Sequence, residues 1–179
     1  FTEINAVTVK YLVRPSSVKK NAKRERRANQ NLISQKHLQR VKAHLEKHQP
    51  LYDTVEKEFS VNREVVAAIL LKETSLGAIK LKHDAVNVFA TIINRIEEAK
   101  TPKRQRWLGR MAINSLVSLA EWSRESGKNI AELSLPSSYA GAVGIPQFMP
   151  FNFTHAKKLD NTPANLNVME DAIVAAARY

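Results

Sequence analysis

A chain of 179 residues with 44% apolar content can bury one sizeable core, and five glycines among long runs of helix formers favour an all-α domain over a sheet protein. The absence of cysteine excludes disulfides, thiolate metal sites and a lipid-bearing cysteine, and no apolar run is long enough to span a membrane. The net charge of +11 is uneven, with 12 Lys and Arg against 3 acidic residues in positions 1–50 and 16 against 14 in the rest, so the excess belongs to an N-terminal appendage suited to an anionic partner.

The chain begins at Phe1 without a methionine or a signal-peptide pattern and so reads as processed or trimmed. Ala6–Val13 (AVTVKYLV) alternates in character and predicts an isolated edge strand or an extended arm. Lys19–Arg27 (KKNAKRERR) follows, so residues 1–30 read as a basic arm and residues 31–179 as the folded domain. Nucleic acid, anionic lipid and an acidic cell-wall polymer would each attract that run, which could equally be a solvated tail. Nucleic acid is disfavoured, because the aromatic interleaving of a single-strand binder is missing from Ser16–Arg27.

A helix is predicted from about Asn31 to His48, with Leu32, Leu38, Val41 and Leu45 on one side, and Pro50 ends it. His37, His44 and His48 share a face of that helix. A His pair four residues apart can bind a metal, but no acidic residue or further histidine completes a site, which leaves a solvated or packing face. A short helix over Leu51–Phe59 leads into a central one over Val61–Gly77, where Gly77 suits a left-handed C-cap. At about 100° per residue, Asn62, Val66, Ile69, Leu70 and Glu73 share its apolar face. A carboxylate in line with that stripe needs an explanation. It is either a functional group or a helix-end glutamate turned to solvent or paired with Lys72.

Further helices are predicted over Ala85–Ala99 and Met111–Arg124, separated by Thr101-Pro102 and a basic cluster at Lys103–Arg110, with Ser126-Gly127 closing the second. Ser137–Pro150 (SSYAGAVGIPQFMP) is the most unusual stretch. Its glycines and prolines disfavour a plain helix and predict a shaped loop, either a binding loop or a structural elbow. A final helix takes Ala164 or Asn165 to Tyr179, with Met169, Ile173 and Ala176 inward.

Two of these stretches carry a resemblance. Glu73-Thr74-Ser75-Leu76-Gly77 is similar to the E-T-x-x-G motif, and Ala140-Gly141-Ala142-Val143-Gly144 with Gln147-Phe148-Met149-Pro150 to the A-G-A-x-G-x-x-Q-F-M-P motif, of the MltB-type (family 3) lytic murein transglycosylases. Ala90-Thr91-Ile92 and Thr101-Pro102-Lys103-Arg104 resemble two intervening segments of that family, A-T-L and Tyr-Pro-Arg-Arg. The resemblance covers roughly Leu51–Tyr179.

It implies a lysozyme-like all-α domain in which Glu73 is the sole catalytic acid and base. It implies that Ser138 and Gln147 hold the sugar groups, that Tyr139 packs under them, and that Lys103, Arg104 and Trp107 contact the peptide-bearing side of the glycan. The substrate would be peptidoglycan, cleaved at the β-1,4 bond between N-acetylmuramic acid and N-acetylglucosamine to leave a 1,6-anhydro end, without metal or organic cofactor. The place of action would be the periplasm or cell envelope, with envelope partners reached through the basic arm. Three departures stand out: Phe151-Asn152-Phe153 where the family continues Ser-Ser-Tyr, Leu76 where an aromatic is frequent, and an end at Tyr179 where the family supplies further groove aromatics.

Glycosidic cleavage needs a carboxyl still protonated near neutral pH, and Val66, Ile69 and Leu70 would provide the desolvation for it. A retaining or inverting hydrolase also needs a second carboxylate at about 5 to 9.5 Å, whereas Ser137–Pro150 contains no Asp or Glu. Asp84 and Glu97 are the alternatives elsewhere in the chain. A hydrolytic muramidase on the same fold and a non-catalytic glycan-binding scaffold remain open.

Overall fold

Among the described residues, four of the longer helices begin where a short polar side chain takes the first free backbone N–H groups. Ser34 Oγ accepts from His37 N (3.3 Å), Asn62 Oδ1 from Glu64 N (2.9 Å), Asp84 Oδ1 from Asn87 N (3.1 Å) and Thr101 Oγ1 from Arg104 N (3.2 Å). Each such cap is worth about 1 kcal/mol and fixes where its helix starts. The computed structural model describes residues 3–15, 34–130 and 135–179, so the basic run Lys19–Arg27 and the predicted helix start at Asn31 lie outside the described residues. Among the described residues the architecture is helical apart from one pair of two-residue strands, and no helix is long and apolar enough to cross a membrane. The chain divides into two units.

The first unit comprises Phe1–Ser16 and Leu81–Thr154. Its helices are α1 (Ala6–Thr8), continued by a π-helical turn over Val9–Val13, α5 (Ala85–Asn94) and α6 (Pro102–Glu125). Strands β1 (His83–Asp84) and β2 (Pro136–Ser137) pair antiparallel, His83 opposite Ser137 and Asp84 opposite Pro136. Asp84 serves twice, since its Oδ2 accepts from Leu135 N at 3.0 Å while Oδ1 caps α5. Helix α5 buries Ala85, Val86, Val88, Phe89, Thr91 and Ile92 and packs against the α6 stripe Leu108, Ala112, Ser115, Leu119. Helix α6 runs unbroken through Gly109, where a Cβ would come within 2.9 Å of Ile96 Cδ1. The expected break between Lys103–Arg110 and Met111–Arg124 is therefore absent, and Pro102 starts one 24-residue helix from its first turn.

The strand expected over Ala6–Val13 is corrected to helix. Asn5 Oδ1 caps Thr8 N (3.1 Å), and Thr8 and Val13, five residues apart, are the buried positions. Asn5 N donates to Thr91 Oγ1 (3.1 Å) and Arg14 pairs with Glu98 (2.5 Å), so tertiary contacts override the β-branched alternation. These residues are structural members of the first unit.

The second unit comprises Ser17–Lys80 and His155–Tyr179 and contains α2 (Gln35–Lys47), α3 (Gln49–Phe59), α4 (Arg63–Thr74) and α7 (Met169–Arg178). Helix α7 buries six consecutive residues, Ala172–Ala177, four of them alanines that let neighbouring helices approach closely. The α3–α4 corner is pinned by Arg63, which donates from N to Glu56 Oε1 (2.8 Å), from Nε to Glu56 Oε2 (2.7 Å) and from Nη2 to Asp53 Oδ1 (2.6 Å). His44 and His48 are buried packing groups, 8% and 7% exposed. Nε2 of His44 lies 3.0 Å from the Tyr52 hydroxyl, and Nδ1 of His48 is 3.5 Å from Glu170. Burial pushes the His44 imidazole down to about 4 and lowers His48, and it raises the Tyr52 phenol.

Candidate active site

Helix α4 buries Val66, Ala67, Leu70, Leu71 and Thr74. That stripe is rotated from the expected one, because its last member is Thr74, and one residue along a helix is a turn of about 100°. Ile69 is 41% exposed and Glu73 is exposed, which corrects the expectation that apolar neighbours on its own helix desolvate the carboxyl. Glu73 stands on the last turn of α4, open to solvent, beside a buried threonine whose hydroxyl accepts from Gly77 N at 3.1 Å.

The chain leaves α4 through three consecutive left-handed residues: Ser75 (φ 55°), Leu76 (φ 56°) and Gly77 (φ 77°). Ser75 N donates to Leu71 O (2.8 Å), Leu76 N to Leu70 O (3.0 Å) and Ile79 N to Thr74 O (3.0 Å), so the orphan carbonyls of the helix end are used within the turn. The predicted C-cap at Gly77 is realised two residues earlier, at Ser75.

In the first unit the loop from Ser137 to Pro150 is locked on itself. Val143 and Phe148 exchange backbone bonds (2.8 and 3.1 Å), Ser138 N donates to Ala142 O (2.9 Å), and Ala142 N donates back to Ser138 Oγ (3.2 Å). Gly141 has φ 87°, and a Cβ there would fall 2.3 Å from Phe89 Cζ, so only glycine fits under the ring. Gln147, also left-handed at φ 55°, donates from Nε2 to Gly144 O (2.9 Å) and Ala142 O (3.3 Å). Ser138 and Gln147 thus brace the loop while remaining half-buried at its surface. Tyr139 is exposed, its carbonyl accepts from Thr8 Oγ1 (2.8 Å), and its ring lies 5.8 Å from the exposed ring of Tyr11.

Beside this loop is a cavity of about 740 Å³, lined by Lys103, Arg106, Trp107 and Arg110 of α6 together with Leu12, Met149 and Phe151. Among the described residues, none that lines it is acidic. Lys103 and Trp107, two residues that the resemblance groups together, both line it. Arg104 is not among them, since its guanidinium donates to Leu12 O (2.5 Å) and lies 5.5 Å over the Trp107 ring. Arg106 and Arg110 were missed by the sequence reading, although their spacing of four puts them on one helical face with Trp107 once the basic cluster is joined to α6. The two departures at Phe151 and Phe153 separate: Phe151 lines the cavity, and Phe153 is a core residue whose ring sits 5.9 Å from Trp122. Among the described residues no group of three or more His, Cys, Asp or Glu side chains is placed to hold a metal ion.

The family model for the transglycosylase SLT domain matches residues 3–179. The chain belongs to this family. The SLT domain is similar to soluble lytic transglycosylase SltB1 from Pseudomonas aeruginosa, at 28% identity and a TM-score of 0.69 over 85% of this chain and 48% of that one. It shares a fold with the Escherichia coli lytic transglycosylase Slt35 in complex with bulgecin A (21% identity, TM-score 0.67, 87% of this chain and 46% of that one). The same holds for Pseudomonas aeruginosa SltB3 in complex with NAG-anhNAM-pentapeptide (19% identity, TM-score 0.67, 88% and 39%). The fold is thus the mostly-α, lysozyme-like one of lytic transglycosylases, and the SLT domain spans less than half the length of these relatives. No curated protein sequence matches it.

Proposed function

We propose that this SLT domain is a peptidoglycan lytic transglycosylase of the periplasm or cell envelope, with Glu73 as its single acid and base. The observation that carries the reading is a solvent-open glutamate on the last turn of α4, heading a turn of fixed backbone, in a chain matched by the family model from residue 3 to 179. The SltB3 complex, which holds an anhydromuramyl peptide, supports both the substrate class and the anhydro product.

In the reaction Glu73 donates its proton to the glycosidic oxygen as the bond to muramic acid C1 breaks and positive charge develops there. The resulting carboxylate takes the proton of the C6 hydroxyl, whose oxygen closes onto C1, and the carboxyl is regenerated without water. Ser138 and Gln147 shape the sugar-binding loop and contact the N-acetyl groups. Tyr139 and Trp107 offer flat faces to the glycan. Lys103, joined by Arg106 and Arg110, receives stem-peptide carboxylates, and Arg104 acts indirectly by supporting Trp107.

The test is mass spectrometry of muropeptides released from purified sacculi. Products should be roughly 20 mass units lighter than the borohydride-reduced products of hydrolysis, about 18 for the water not added and about 2 for the hydrogens not gained. Glu73→Gln should keep fold and glycan binding and lose about a thousandfold or more in release rate, since an amide neither donates nor recovers the proton. Reducible muramic acid ends would indicate a hydrolytic muramidase, and a fully active Glu73→Gln would remove Glu73 from the chemistry.

A further inference from the structure

The turn that follows Glu73 is held from outside. Ser75 and Leu76 occupy the left-handed region without being glycine, a conformation that persists only where surrounding structure enforces it. The enforcing group comes from α2, where Arg40 Nη1 donates to Ser75 Oγ at 2.7 Å and Nη2 to Ser75 O at 2.6 Å. One planar guanidinium therefore grips both oxygens of one residue, a two-point bond that an ammonium does not reproduce. Ser75 O also accepts from Ala78 N at 3.3 Å, so the Arg40 bond is the shorter contact on that carbonyl. Arg40 is itself anchored, because α2 carries the buried His44 one turn further on, bonded to Tyr52 of α3.

We infer that Arg40 is a positioning residue for the reaction: by fixing Ser75 it sets the direction in which the last turn of α4 presents the Glu73 carboxyl. This rests on the reading of Glu73 as the acid and base. A proton must pass from that carboxyl to the glycosidic oxygen and another must return from the C6 hydroxyl, so a displacement of about an ångström weakens both transfers. Substrate affinity comes from other side chains, so the effect falls on kcat.

The decisive experiment compares Arg40→Met, Arg40→Lys, Ser75→Gly and Glu73→Gln in the full chain, measuring thermal stability together with kcat and KM on soluble glycan strands. Arg40→Met should lower kcat about tenfold to a hundredfold with KM changed less than about threefold, and Arg40→Lys should fall between it and the unaltered protein. Ser75→Gly separates positioning from support. Glycine relieves the left-handed strain and removes the hydroxyl that Arg40 holds, so its melting temperature should be maintained or raised while kcat falls. That split, high stability with low turnover, is what a merely structural arginine would not produce, and it can be read even if Arg40→Met does not fold. If Ser75→Gly and the Arg40 variants keep full kcat while Glu73→Gln is inactive, the assignment of Arg40 is wrong and the reading of Glu73 stands. If Glu73→Gln is itself fully active, the reading of Glu73 has failed and the Arg40 assignment falls with it.

Discussion

Gln147, proposed above to contact the sugar, is also committed to the structure of its loop. Its Nε2 bonds two carbonyls of its own loop and its backbone is left-handed, so alanine in its place would lose those bonds and keep the unfavourable φ. Gln147→Ala should therefore cost about 1 kcal/mol of stability in addition to a rate loss of roughly tenfold to several-hundredfold. Gln147→Gly relieves the backbone and removes the same side chain, so it should recover part of the stability and none of the rate. Thermal melts and muropeptide release on the two variants check this. A rate that recovers with stability in the glycine variant would assign Gln147 to scaffolding alone. At Glu73 the expected stripe of Val66, Ile69 and Leu70 is only partly realised, since Val66 and Leu70 are buried while Ile69 is exposed and Leu71 and Thr74 complete the buried face.

At the scale of elements, the legible features were those encoded within one turn of helix. The helices from Arg63 and Ala85 begin within a few residues of where the pattern put them, and Gly127 (φ 64°) follows α6 where the pattern ended, whereas Thr101 caps a helix whose start was expected only at Met111. The features that were not legible depend on distant partners. AVTVKYLV is helical because Asn5, Thr8 and Arg14 find Thr91, Tyr139 and Glu98, each more than 80 positions away. The Arg40 grip on Ser75 spans 35 positions and has no local signature. Packing of α2 on α3 likewise became specific only in three dimensions, and it yields a pH dependence. The folded His44 imidazole titrates at about 4 against an ordinary value of 6.5, chiefly through burial, with His48 and Lys47 acting in the same direction and Glu170 opposing. The folded state thus favours the neutral ring, so its contribution is full above pH 6.5, declines as pH falls, and is exhausted near pH 4, an effect of up to about 3 kcal/mol. Urea midpoints should drop between pH 6.5 and 4, and His44→Asn should flatten much of that drop. A midpoint difference between the two proteins that stays constant over this range would count against it.

For the whole molecule the distribution of charge remains the strongest unlocalised signal. Residues 1–50 carry 12 Lys and Arg against 3 acidic residues, and six of those cations lie between Lys19 and Arg27. Residues 3–15 are bound into the first unit through Asn5, Thr8 and Arg14, so an N-terminal deletion would damage the fold and confound any test of attachment. The informative variant instead replaces Lys19, Lys20, Lys23, Arg24, Arg26 and Arg27 with glutamine and leaves residues 3–15 in place. If this run tethers the protein to an anionic envelope polymer, sedimentation with purified peptidoglycan should weaken. Its dependence on salt should flatten as well, because exposed charges are screened over about 10 Å at 0.1 M. Turnover of short soluble glycan strands should stay within about twofold of the unaltered protein, since the proposed catalytic and sugar-binding residues lie outside the substituted run. The cavity cations Lys103, Arg106 and Arg110 are the competing source of salt sensitivity. Binding that keeps its full strength and salt slope in the six-fold variant, and loses both when Arg106 and Arg110 are replaced, would transfer the attachment from the basic run to the face of α6.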